Sequence, residues 1–402
     1  MPVQNPWSWV NLTNMVWIDQ PVGTGFSTGT PNATSSEDAA VQFLPFWKRF
    51  VDLFELHHRK VFITGESFAG QYVPYIAAAM LDQKDTDYYE VSGIMIYDPS
   101  FGWPQVSKQV PMVAFTDAHE QSFAFNETFK AEIHEKSSSC GYDAFLSNGL
   151  SFPPSGPLPP PPGLDPDGKT TSGCDLLNTI YAAIVELNPC FNIYEIGDLC
   201  PIAWDILGNP AYQNVHVGAT FEPYLNRTAV KQALHAPLDT EWQLCTDKPV
   251  LGNFTDRSAP AGLSGGPLQR VVEATNNVVV AHGTLDMILL SAGSLLTLQN
   301  LTWNGGRGFS APPTQPFRVP RAADPAAAAA AGAGVLGGWV SERGMTFCTV
   351  ELSGHEVPAY QPAAAFRQLE FLLGRVASLG VDDAFTTEAA AGKTEMLEAD
   401  CY

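Results

Sequence analysis

The chain has 402 residues, 45% of them hydrophobic, enough to bury a large core as one domain with an insertion. Its 21 basic and 42 acidic residues leave a formal charge of −21, which argues against nucleic acid or an anionic membrane as a partner. No apolar run approaches the length of a membrane span, and no basic start followed by an apolar stretch marks a signal peptide.

Residues 1–100 read as the first part of an α/β core. A strand is expected at Met15-Val16-Trp17-Ile18. The spacing of Ala40, Phe43, Leu44, Trp47, Phe50, Val51 and Phe54 predicts a helix over about Ser36–Phe54, with one apolar stripe and a kink at Pro45. Val61-Phe62-Ile63-Thr64 reads as a strand that runs into Gly65-Glu66-Ser67-Phe68-Ala69-Gly70, followed by a helix ending near Met80. That is the pattern of a nucleophile elbow, a serine on a sharp strand-to-helix turn flanked by small residues because the backbone there is crowded. Such a turn lifts the Ser67 hydroxyl out of the sheet and aims the backbone N–H of Phe68 where an oxyanion would form. Ala69 stands where a glycine often does. Another strand is expected at Gly93-Ile94-Met95-Ile96-Tyr97, and the alternation of strands and helices implies a mostly parallel sheet covered on both faces.

Residues 101–270 break that rhythm and read as an inserted cap. Pro153 to Pro162, mostly proline, is expected to be an extended, solvated surface loop. The cysteines are Cys140, Cys174, Cys190, Cys200, Cys245, Cys348 and Cys401. With no C-x-x-C pair or His/Cys metal spacing, disulfides within the cap are the better reading than a metal site. Seven is odd, so either Cys348, in an apolar strand, is a buried free thiol or one cysteine has no partner in this chain.

Residues 271–380 resume the core. Val278-Val279-Val280-Ala281 reads as a buried strand ending in His282-Gly283-Thr284-Leu285-Asp286. Met345-Thr346-Phe347-Cys348-Thr349-Val350 reads as another, ending in Glu351-Leu352-Ser353-Gly354-His355-Glu356-Val357-Pro358. Asp286 and His355 are polar residues just past strand ends, in the order Ser, Asp, His, which suits nucleophile, orienting acid and general base. Taken singly, Asp286 could be a turn-former and His355 a surface or capping residue. His282 is the rival base, but it lies on the loop of Asp286 and would have to fold back toward its own acid. Between acid and histidine, the alanine- and glycine-dominated stretch from Arg321 to Gly338 reads as a mobile loop extension. A last helix, about Ala363–Leu373, would pack Phe366, Leu369, Leu372 and Leu373 on the sheet. Residues 381–402 form an acidic tail expected to fray from Asp382.

The elbow, the Gly283-Thr284-Leu285-Asp286 loop and the Gly354-His355-Glu356-Val357-Pro358 segment together resemble the serine carboxypeptidase family of secreted and vacuolar α/β-hydrolases. Asn5-Pro6-Trp7-Ser8-Trp9 followed by Asp19-Gln20-Pro21-Val22-Gly23-Thr24-Gly25-Phe26-Ser27 is similar to another of its signatures. The resemblance implies Ser67 as nucleophile, Asp286 as orienting acid and His355 as base. It also implies that Glu66 belongs to an acidic pair and, when protonated, helps bind a substrate C-terminal carboxylate, which would confine cleavage to the last residue and favour acidic pH. Glu356 follows the histidine, where the family often carries methionine or glutamate, and would line the pocket of the leaving residue. A Glu66 that merely caps the elbow helix and a solvent-facing Glu356 are the bland alternatives. Two departures stand out. Tyr97-Asp98-Pro99-Ser100 replaces the family's Gly-Asn-Gly, and no Trp-x-Asn-Gly-Gly-Pro-Gly segment precedes Asn5, so the chain reads as lacking an upstream portion with one oxyanion donor and the partner acid of Glu66.

Six glycosylation acceptor patterns, at Asn11, Asn32, Asn126, Asn226, Asn253 and Asn300, favour a secreted or vacuolar glycoprotein. The function expected is a serine-type carboxypeptidase acting on peptide or protein C-termini, without a metal or other cofactor and without nucleic-acid or membrane partners. The alternatives are an acyltransferase or esterase on the same scaffold, and a non-catalytic secreted glycoprotein.

Overall fold

The computed structural model describes residues 4–199, 222–246, 248–253 and 255–388. Cys200, Cys401 and the tail from residue 389 lie outside them. Its strands are β1 (Lys60–Glu66), β2 (Glu90–Tyr97), β3 (Val278–Gly283), β4 (Thr302–Trp303), β5 (Gly306–Arg307), β6 (Gln315–Val319), β7 (Gly334–Glu342) and β8 (Met345–Val350). Six of them form one sheet in the order β1-β2-β3-β8-β7-β6, and β4 and β5 make a separate hairpin. β1, β2, β3 and β8 run parallel, and β7 and β6 are added antiparallel. This is the mostly parallel mixed sheet of an α/β-hydrolase.

Central strands of such a sheet are apolar on both faces because helices cover both. Ile94, Ile96, Val278, Val280 and Phe347 face one layer, where they meet Val73, Ile76, Val271 and Val272. Met95, Tyr97, Val279, Ala281, Cys348 and Val350 alternate with them and meet Ala364, Phe366 and Leu369 on the other side. The first layer includes α1 (Ser36–Phe54) and α2 (Ala69–Asp82). Helix α1 starts where the Ser35 side chain accepts the Asp38 N–H, with Glu37 and Asp38 in its first turn, and stops at left-handed Glu55.

Between β2 and β3 the described chain is helical: α3 (Pro104–Lys108), α4 (Met112–Ala118), α5 (Glu127–Ser139), α6 (Tyr142–Gly149), α7 (Leu176–Leu187), α8 (Thr228–Ala233) and α9 (Pro267–Thr275). All but α8 and α9 share an apolar cluster of their own, with Met112, Ile133, Tyr142, Ile180 and Ile184 at its centre. A disulfide joins Cys140 to Cys174 there, and Cys190 is disulfide-bonded too. After β3 come α10 (Ser291–Asn300), α11 (Pro325–Ala329), α12 (Val357–Tyr360) and α13 (Pro362–Leu372). Cys348 is a buried free thiol, and Cys245 is also free. Among the described residues no helix is long and apolar enough to cross a membrane.

Three expectations are corrected. Met15–Ile18 is not a strand, and Trp17 is 73% exposed. A cavity of about 530 Å³ lies between this segment and β1, so its backbone has no ladder to join and the apolar run cannot become a strand. The stretch from Arg321 to Gly338 is not a free loop. Asp324 caps α11, Ala322 and Ala327 pack in the core with Trp7, and residues from Gly334 onward enter the sheet as β7. The tail does not fray at Asp382. Phe385 is buried against Trp7 and Phe366, and the Arg367 guanidinium donates to the Asp383 carbonyl.

Candidate active site

Ser67 follows β1 directly and has φ of 60°, a left-handed conformation that costs a residue with a Cβ about 1–3 kcal/mol. Three hydrogen bonds hold it there: its N–H donates to the Tyr97 carbonyl at 3.0 Å, and its carbonyl accepts from Ser100 and Gly70, both at 2.9 Å. Alanine suffices at 69 because its opposite number is bare. A Cβ on Gly65 would lie 2.5 Å from Ala69 Cβ. The Phe68 N–H, at the head of α2, is used by no main-chain bond of the described residues. It belongs to the N-terminus of a helix, whose partial positive charge suits an anion.

Asp286 and His355 meet. His355 Nδ1 is 2.7 Å from Asp286 Oδ2, and the two residues are 3% and 0% exposed. Asp286 Oδ1 accepts from the backbone N–H groups of Ile288 and Leu289, which fixes the carboxylate. The loop carrying His355 is wedged. Its N–H donates to the Tyr194 carbonyl at 2.8 Å, while Met287 N–H reaches Ile193 and Ile196 N–H reaches Leu285. A Cβ at Gly354 would come within 2.1 Å of Tyr194 O, and one at Gly283 within 2.0 Å of Gly354 O. No hydrogen bond joins Ser67 to His355 in this arrangement.

His282 is not on the loop of Asp286. It is the last residue but one of β3, fully buried, with Nδ1 2.8 Å from Asp98 Oδ1. Burial pushes its imidazole down to about 4, against the pull of Asp286, so it is neutral. Asp98, just past β2, is a site residue to which sequence reasoning gave no chemistry. Burial first, then the Asp286 charge, hold its carboxyl well above the usual range, against the pull of His355. One polar atom from each of Asp98, Asp286 and His355 lies within 4.8 Å of the others, the only such group with metal-ligand atom types among the described residues. Because His355 Nδ1 is already taken by Asp286, the cluster suits a shared proton better than an ion.

Glu66 borders the cavity beside β1 together with Ser67 and Phe68. Although it keeps some contact with that cavity, desolvation pushes its carboxyl up to about 8, with His355 pulling down and Glu356 and Asp286 pushing up. Glu356 is half-buried, and its charge reaches Glu66. Desolvation alone would lower His355, but the Asp286 carboxylate, its hydrogen bond, and the Asp98 and Glu66 charges outweigh it and raise the imidazole. Two of those charges sit on groups that themselves retain protons, which softens the rise.

The glycosylation acceptors fall into two sets. Asn11, Asn32, Asn126 and Asn253 are exposed. Asn226 is half-buried with its side-chain amide bonded to the main chain of Trp242, and Asn300 is half-buried with its carbonyl oxygen taken by Leu158 N–H.

A family model described as serine carboxypeptidase matches residues 1–374. A carboxypeptidase Y homolog of Arthroderma benhamiae is 45% identical, with 94% of this chain and 71% of that protein aligned. Serine-type carboxypeptidase F of Aspergillus niger is 40% identical over 93% of this chain and 72% of its own length. The crystal structure of Kex1(delta)p, a prohormone-processing carboxypeptidase from Saccharomyces cerevisiae, superposes with a TM-score of 0.68 at 21% identity, covering 93% of this chain and 76% of that one.

Proposed function

The chain belongs to the serine carboxypeptidase family, and from that premise we propose that it releases C-terminal residues through an acyl-enzyme on Ser67. Neutral His355 takes the Ser67 proton as Oγ attacks the scissile carbonyl, and Asp286 orients the imidazolium that results. The Phe68 N–H receives the developing oxyanion. His355 then returns the proton to the leaving amine, and water hydrolyses the ester in a second cycle of the same base. Protonated Glu66 donates a hydrogen bond to the substrate carboxylate, which favours acidic pH, and Glu356 lines the pocket of the leaving residue. Glu66 and His355 titrate as a coupled set, and the working form carries the proton on Glu66. The substrates are peptide or protein C-termini, and the helical segment within residues 101–270 serves as a cap. The exposed acceptor asparagines support a glycoprotein of the secretory route, secreted or vacuolar.

The observation that carries this reading is the buried 2.7 Å pair of His355 and Asp286, taken with the left-handed turn that presents Ser67. A serine-directed phosphonofluoridate should label Ser67, and labelling should vanish in Ser67→Ala. Turnover should be fast on a peptide with a free C-terminus and lost when that carboxylate is amidated. Equal turnover of amidated peptides or simple esters would favour an esterase or acyltransferase, and absence of labelling would favour a non-catalytic protein.

A further inference from the structure

Asp98 has no task in the reaction above, yet its position is central. It follows β2 directly, and β2 lies between the strand that delivers Ser67 and the strand that leads to Asp286. It has φ of 43°, and its N–H donates to the Ala281 carbonyl at 2.9 Å. Its Oδ1 accepts the Gly283 N–H at 2.9 Å and lies 2.8 Å from His282 Nδ1. Its Oδ2 is buried with no hydrogen-bond partner. Asparagine would adopt the same left-handed backbone and accept the same Gly283 N–H. A purely structural role therefore leaves the second carboxyl oxygen, unpartnered and costly to bury, without a reason.

The chemistry of the neighbours supplies one. Glu66 from β1, Tyr97 from β2, His282 from β3, Asp286 from the following loop and His355 from the loop after β8 face Asp98. Of these only His355 is set to carry positive charge, since His282 is held neutral. Two carboxyls near one imidazole in a desolvated site retain a proton between them. Asp286, fixed by two N–H donors and bonded to the imidazole, is the one built to stay ionised. Asp98 keeps the proton.

We propose that Asp98 is a reserve orienting acid for His355, holding a proton while Asp286 is charged and becoming the imidazole's carboxylate when that charge is removed. The proposal rests on the assignment of His355 and Asp286 above. It makes Asp98 a positioning residue, acting through His355.

The test compares the parent chain with D286N, the double variant D98N/D286N, and the controls S67A and H355A, by kcat/KM across pH, with thermal melts to confirm folding. Loss of the orienting carboxylate with intact geometry typically costs about 10⁴-fold in kcat. The double variant should show that full loss at every pH. D286N should stay at least about tenfold above it, with a rate that climbs as pH rises and Asp98 ionises. A merely structural Asp98 would leave D286N and the double variant with the same pH profile, since the titration of His355 itself is common to both. If D286N and the double variant match at every pH while S67A and H355A are dead, the reserve role is wrong and the triad stands. If D286N and H355A both keep the parent's activity, the triad assignment fails and the reserve role with it. Asp286→Ser, with and without D98N, repeats the comparison should the asparagine variant fail to fold.

Discussion

Replacing Gly354 with alanine should damage activity far more than stability. A Cβ there would sit 2.1 Å from Tyr194 O and 2.9 Å from both Cα and Cβ of Glu195. Ordinary carbon–oxygen contact begins near about 3.3 Å, so relief takes roughly 1 Å of movement. The nearest obstacle is backbone, so no rotamer change absorbs it. Overpacking of this kind costs about 1–3 kcal/mol, or about 2–4 °C per kcal/mol and less in a long chain. His355 is the next residue, and its own N–H is bonded to that same Tyr194 carbonyl. The displacement therefore passes to the imidazole, and a misplacement near 1 Å costs about 10²-fold in rate. The assay is kcat/KM on a blocked dipeptide with a free carboxylate, beside a thermal melt. Gly173→Ala, where an added Cβ meets nothing within 4 Å, is the control. A Gly354→Ala enzyme within about tenfold of the parent would refute the idea that this wedge positions the base.

Four further outcomes follow. Glu66, raised from 4.5 to about 8, favours its neutral form in the folded protein. The stability it contributes is full below its unfolded pKa and is lost as pH rises through about 8, and hydrolysis of peptide acids should fall in the same window. Glu66→Gln should lose that alkaline limb, and an unchanged profile would rule Glu66 out as the titrating group. Glu356→Met should lower kcat/KM for C-terminal Lys or Arg by about tenfold while sparing Leu and Phe, and an equal effect on both classes would show that Glu356 does not read the substrate. Converting Cys140 and Cys174 together to serine, which opens a loop of sequence separation 34, should cost about 3–4 kcal/mol in urea melts, and an unmoved midpoint would count against it. Glycopeptide mass spectrometry should find Asn32 and Asn253 occupied and Asn226 bare, because only the last has its amide committed to the main chain.

What the sequence revealed was local or periodic. Helix α1 and strand β8 fall on the expected residues, since one is set by a 3.6-residue stripe and a Ser cap and the other by a continuous apolar run. The elbow was readable because Gly65 to Gly70 is contiguous. Met15–Ile18 was misread because its strand-like composition says nothing about whether a partner lies alongside. β7 was missed for the opposite reason: Gly334, Gly337 and Gly338 look like a breaker, yet Gly337 lies so close to Thr349 O that a Cβ would come within 2.0 Å. Asp98 escaped notice because everything that gives it meaning, His282, Asp286 and His355, is remote in sequence and arrives only when β2, β3 and β8 lie side by side.

The three main-chain bonds from Ile193, Tyr194 and Ile196 to the loops of Asp286 and His355 have an implication for length variation. This short stretch behaves as a ruler laid across both loops. A hinged lid could swing away and leave the acid and base in place, but this segment cannot leave without unlacing the two loops that hold them. An insertion next to Gly156 in the proline-rich loop, where an added Cβ would meet nothing within 4 Å, should be nearly silent. A single residue inserted between Tyr194 and Ile196 parts the Leu285 anchor from the Met287 and His355 anchors by up to about 3.3 Å, the rise of one extended residue.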